Sequence, residues 1–141
     1  MNKAIKIIFG LIFAAVLLVL GAWLYLNYVP QKTTDKKEAD MSLQATELYA
    51  AFESDEAASN QQYIGQILQV EGQVGEKLID ENMAPVIVLR APNAMAGVMC
   101  TLLKSQQAAY DGIEVGKTII LKGKCNGMLM DVVLDEGVIV Q

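Results

Sequence analysis

Few residues in this 141-residue chain have chemistry to offer. They are two cysteines, Cys100 and Cys125, a lysine pair, Lys122 and Lys124, and the run Gly112-Ile113-Glu114-Val115-Gly116-Lys117-Thr118. The run looks like a phosphate-binding loop. A true one has four residues between its glycines and opens a helix whose N–H groups meet the phosphates. Here three residues intervene and Thr118 starts an alternating apolar stretch, so the run reads as a turn into a strand. The chain has no histidine, which removes the commonest metal ligand and the usual general base near neutral pH. Its serines and threonines therefore lack a partner to activate them, and no Ser-x-x-Lys motif occurs. The acid pairs Asp80/Glu81 and Asp135/Glu136 fall in turn or strand-end contexts, where neighbours point opposite ways and are not preset for acid–base work. Two cysteines without histidine or a CxxC spacing do not make a tetrahedral metal set. We expect no cofactor, no metal and no enzyme activity.

The elements that position these groups begin with an apolar run. From Ile7 to Leu26 there is no charged residue, and Lys3 and Lys6 precede it. That matches the ~20 residues a helix needs to cross a bilayer. Trp23, Tyr25 and Tyr28 form an interfacial belt at its far end, and neither an Ala-x-Ala cleavage pattern nor an acylatable cysteine is present there. We expect an uncleaved anchor over residues 1–30, with a short basic N-terminus inside the cell. The remainder then lies outside the cytoplasm, as a single-pass inner-membrane protein with a periplasmic domain. Residues 31–41 read as a solvated linker of Lys, Thr, Asp and Glu.

Residues 42–141 are the domain. Ser42 is placed to cap a helix that puts Ala45, Leu48, Tyr49 and Phe52 on one face, and Ser54-Asp55-Glu56 starts a second helix that Gly65 ends. The large apolar groups on this segment predict that it packs on the barrel strands, whereas residues 31–40 lie outside the fold. From Gln66 the period changes to two. Leu68, Val70, Gly72 and Val74 mark a strand bent at Gly72, and further strands cover 86–90, 98–103, 118–125 and 130–140. A short Gln/Ala-rich helix over 105–110 separates the third from the fourth, and Asn126-Gly127 signals a hairpin turn between the last two. Three strands, a helix and two strands, with a glycine-bent first strand, is the pattern of the five-stranded OB-fold barrel. The fold class is mostly β, with a short helical segment before the barrel and a transmembrane helix before that.

Several stretches resemble the tRNA_anti-like family of OB-fold proteins from Bacteroidetes-type bacteria. They are Leu48-Tyr49-Ala50-Ala51-Phe52-Glu53, Tyr63-x-Gly65, Val70-x-Gly72-x-Val74, Val98-Met99-Cys100-Thr101, Lys122-Gly123-Lys124-Cys125-Asn126-Gly127 and Asp131-Val132-Val133-Leu134. The resemblance covers residues 42–141 and implies an OB-fold carried on a lipoprotein signal or membrane anchor. The acylated cysteine of lipoprotein members is missing.

Charge then narrows the partner. Residues 31–141 carry nine Lys and Arg against sixteen Asp and Glu, a net of −7, and from Ile64 onward Tyr110 is the one aromatic. Single-strand binding needs a basic groove and stacking platforms, so the composition argues against nucleic acid. We expect a non-catalytic binding or assembly module for an envelope protein. The alternative is a polyanion-binding OB module, for nucleic acid or glycan, using Lys122 and Lys124 on one strand face. Seven methionines, Met95, Met99, Met128 and Met130 among them, serve equally as core filler or as an adaptable surface. An exported domain sits where disulfides persist, and Cys100 and Cys125 share inward parity with apolar neighbours, so one bridge is expected. Two buried thiols are the alternative.

Overall fold

The computed structural model describes residues 2–28 and 34–140, which fall into two compact units divided after Gln31. The first is a single helix, α1 (Lys3–Tyr28). Its 26 residues extend about 39 Å at 1.5 Å per residue, enough to cross the ~30 Å hydrocarbon core of a bilayer. None of its apolar window is buried against protein. It is a candidate membrane span by length and composition.

The second unit is built on strands. β1 (Met41–Gln44) leads directly into α2 (Ala45–Ser54) and α3 (Glu56–Tyr63). Then come β2 (Ile67–Ile79), β3 (Pro85–Leu89), β4 (Val98–Leu102), a helical turn α4 (Gln107–Asp111), β5 (Thr118–Met128) and β6 (Val132–Ile139). The strands are hydrogen-bonded in the order β1-β2-β3-β4-β6-β5, and β5 returns to pair with β2. That closes a five-stranded barrel with β1 added at one edge, parallel to β2. β4 and β6 are parallel and the other barrel pairings antiparallel. This is the expected OB-fold.

Within the barrel itself, one strand serves two partners. The first half of β2, Ile67 to Gln73, pairs with β5, and the second, Val74 to Ile79, with β3. The register slips between Val74 and Glu76, so the bulge falls at Gly75 and not at Gly72. Gly72 has a different role. A Cβ there would sit 2.8 Å from Cβ of Ala45, so only glycine lets the start of α2 lie on the strand.

Ser42 does not cap a helix. It lies in β1 opposite Gln69, and α2 starts three residues later, where the Gln44 N–H donates to Glu47 Oε2 at 3.1 Å. The Met41-to-Gln44 alternation suits a strand, and the edge of β2 takes it. Asp55 caps α3, accepting from the Ala58 N–H at 3.0 Å. As expected, the helices belong to the domain: Leu48 and Phe52 are 0% and 1% exposed within the barrel core, and the Phe52 ring lies 5.8 Å from that of Tyr63. At the other end α4 closes the barrel, with Tyr110 Oη donating to the Leu78 carbonyl and Lys77 Nζ donating to the Ile113 carbonyl above the Tyr110 ring.

Two further expectations need correction. Asn126-Gly127 is not the hairpin turn. Both residues lie inside β5, where the register slips between Cys125 and Gly127 and Gly127 has φ +99°. The strong turn signal is spent on a bulge, and the chain reverses at Leu129–Asp131. Nor does the described part of the expected linker stand free. Thr34–Lys36 forms a tight helical turn in which Thr34 is fully buried, its Oγ1 donating to Glu136 Oε2 at 3.0 Å. Lys122 Nζ donates to the Lys37 carbonyl, and Asp40 exchanges two hydrogen bonds with Ile67. These partners lie far away in sequence, so local composition carried no sign of them.

Candidate binding face

Every residue of β3 is buried, although a sheet that closes a barrel has two faces. Ile87 and Leu89 belong to the barrel core, so by alternation Val86 and Val88 point outward. They are nonetheless 4% and 2% exposed. Cross-strand register shows their neighbours. Val86 lies between Leu78 and Thr101, Val88 between Glu76 and Met99, and Met99 faces Val133 on β6. The outer surface of β3 and β4 is thus a flush apolar sheet without lysine, arginine or aromatic residues. In OB-folds this surface and the loops at its two ends take the ligand.

Both ends of the sheet carry exposed apolar groups. Beyond one end, in the β2–β3 hairpin, lie Ile79 and Met83. The hairpin is held by Asp80, whose carboxylate accepts from the N–H groups of Asn82 and Ala84 at 2.8 Å each. Beyond the other end lie Leu129 and Met130, 88% and 78% exposed, at the tip of β5–β6. That tip is joined to the β3–β4 loop by Gly97, whose N–H donates to Asp131 Oδ1 and whose carbonyl accepts from Val132. Met95, in the same loop, is 94% exposed.

Arg90 closes the margin of this face. Its Nη2 is ion-paired with Glu76, Nη1 reaches the Met95 carbonyl, and Nε is buried without a partner. The guanidinium is thereby committed to holding the loop.

The lysine pair lies elsewhere. Lys122 and Lys124 alternate with buried Leu121, Gly123 and Cys125, so they share the outer face of β5, as the parity predicts. Lys122 is half-buried and bonded to the Lys37 carbonyl, while Lys124 is exposed opposite Asp135. The fold adds what the sequence reading missed. Lys36 and Lys37 stand beside Lys124 around an open cleft of about 500 Å³, with Glu38, Asp40, Gly65 and Ile67. The 86 positions between Lys37 and Lys124 hid that grouping.

The expected disulfide is not formed. Cys100 and Cys125 are free, buried thiols. Both are register partners of Leu134, one from β4 and one from β5, so β6 runs between them. Two strand spacings amount to about 10 Å, beyond the ~7 Å Cα separation a disulfide can span. Inward parity was right, but it does not specify which strand intervenes. Burial, and then the charge of Asp135, push the Cys100 thiol up to about 12. Burial raises Cys125 as well, against a hydrogen bond from the Gly127 backbone.

The remaining candidate groups have structural partners. The Gly116 N–H donates to the Val74 carbonyl and its own carbonyl accepts from the Gln73 side chain, so the Gly-Lys-Thr run is a turn into β5. Asp135 accepts from the Asn126 amide and Glu136 from Thr34.

The fold and its outer face define a closed OB-fold barrel with one added strand, leading helices and a helix of membrane-span length. The family model of the tRNA_anti-like proteins matches residues 1–136, and the chain belongs to that family. A similar fold occurs in a lipoprotein from Klebsiella pneumoniae described as a candidate nucleic acid-binding protein. It shares 12% identity over 74% of this chain and 100% of that one, with a TM-score of 0.60. A more distant similarity, with a TM-score of 0.43, is to yeast Stn1 and Ten1, at 17% identity over 74% of this chain and 64% of that one. At these identities the likeness is one of fold. No curated protein matches the sequence.

Proposed function

We propose that this protein is a non-catalytic binding module, anchored in the inner membrane by α1, that takes a protein partner in the periplasm on the outer face of β3 and β4. The observation that carries this reading is the ring of exposed apolar groups around that face, Ile79 and Met83 beyond one end and Met95, Leu129 and Met130 beyond the other, on a closed apolar floor of Val86 and Val88. A strand or loop of another protein buries such groups favourably. A nucleic acid finds no aromatic ring there, and the cation at the margin, Arg90, is paired with Glu76.

Photo-crosslinkers at Met99 and Met83 in the full chain test this in cells. A discrete protein adduct from both positions, absent from a crosslinker at Lys117 on the β5 side, supports the reading. Uniform or absent adducts would count against it. The periplasmic placement is checked by a reporter fused after Gln141, which should be active outside the cytoplasm.

A second reading, polyanion binding, has one specific observation behind it: the gathering of Lys36 and Lys37 beside Lys124. It predicts oligonucleotide affinity that falls steeply with salt. No measurable affinity at low salt would exclude it.

A further inference from the structure

We propose that the lysine-lined cleft of the second unit is a docking surface for anionic lipid headgroups of the bilayer that α1 spans. This rests on the anchored reading above. Three features point to it. Thr34 is fully buried and bonded to Glu136, so the segment Thr34–Asp40 is part of the barrel unit and not free tether. Only residues 29–33 separate Tyr28 from Thr34, and six backbone steps reach about 20 Å at full extension. Any bilayer that holds α1 therefore lies within that distance of Thr34. Charge is the third feature: in a domain of net −7, exposed Lys36, Lys37 and Lys124 surround one open cleft.

The carboxylates lining the cleft, Glu38 and Asp40, offset this only in part, since they stand against three ammonium groups. Asp40 is turned to the Ile67 N–H, from which it accepts at 2.8 Å. Each lysine within a Debye length of an anionic surface favours association by about fivefold.

The test uses the full chain in nanodiscs, one set of phosphatidylcholine alone and one with about 30 mol % phosphatidylglycerol. Amine acylation is read residue by residue by mass spectrometry. Labelling of Lys36, Lys37 and Lys124 should slow by about threefold or more in the anionic discs and recover at about 0.5 M salt, while Lys104 and Lys117 stay unchanged. Lys124→Glu should return Lys36 and Lys37 toward their rate in neutral discs. Equal rates in the two lipids would overturn the proposal. So would equal protection in neutral discs by inorganic phosphate or an oligonucleotide, which would make the cleft a site for a soluble anion. A chain that leaves the discs on gel filtration would overturn the anchored reading as well, whereas a chain that stays and labels equally would overturn this proposal alone.

Discussion

The barrel has two outer faces of opposite character. On β3 and β4 the outward positions are Val86, Val88, Met99 and Thr101. On β5 they are Thr118, Ile120, Lys122, Lys124 and Asn126. Both strand sets present the same inward lining, Ile87, Leu89, Cys100, Leu121 and Cys125, all nearly free of solvent contact. The difference shows how an OB-fold divides its sequence. Inward alternate positions hold the barrel closed and tolerate only close packing. Outward ones differ from face to face, largely apolar on β3 and β4 and polar or charged on β5.

The largest expected effect removes the support common to both faces. Phe52 is 1% exposed inside the core, and Phe52→Ala should lower stability by about 3–5 kcal/mol in urea unfolding. The effect should appear equally whichever face carries the reporter.

The next prediction concerns pH. The Cys100 thiol lies at about 12 in the fold, against an ordinary 9.0, because burial and then Asp135 oppose its ionisation. The folded state thus holds this proton more tightly than the unfolded one. The contribution is fully present below about pH 9 and is lost as pH rises from there through 12. By about pH 10.5 the loss should reach roughly 2 kcal/mol. The readout is the difference in pH dependence between the parent and Cys100→Ala, since lysines titrate in both.

A matched pair then compares the faces directly. Val88→Thr places a hydroxyl at an outward position that is 2% exposed, and should cost about 1–2 kcal/mol. Lys124→Thr places the same residue at an exposed outward position of β5, and should change stability by less than about 0.5 kcal/mol. Equal costs would erase the distinction between a closed apolar face and a solvated one. Thr34→Val removes the hydrogen bond to Glu136 and should fall between these two, at about 1 kcal/mol or less.

Period-two alternation made β2 and β5 legible, with the inward parity of Cys125, and turn signals between apolar runs marked out the other barrel strands. The apolar stripe of Leu48 and Phe52 announced that the helices pack on the barrel. Local signals failed where a distant partner competed for the same residues. Ser42 had the chemistry of a helix cap, but β2 offered its backbone a ladder. Asn126-Gly127 had the chemistry of a turn, but β5 needed a bulge to stay in register with β6. The cysteines faced the same interior, but pairing order put Leu134 between them. Of the candidate site, Lys122 and Lys124 could be read from one strand. Lys36 and Lys37 could not, because contacts distant in sequence bring them there: Thr34 with Glu136, the Lys37 carbonyl with Lys122, and Asp40 with Ile67.

The strand order has a consequence for how this molecule is made. β6, the latest strand in sequence, is neither an edge nor an addition. It lies between β4 and β5 and supplies the parallel pairing that closes the ring. Until it has been synthesised, β4 has an open side, and the barrel cannot close. The apolar helix α1, by contrast, precedes every strand of the barrel in the chain. On the anchored reading proposed above, membrane insertion can therefore begin before the domain closes. A chain stalled before Val132 would be an unclosed sheet with exposed edges, the kind of species that is prone to aggregate.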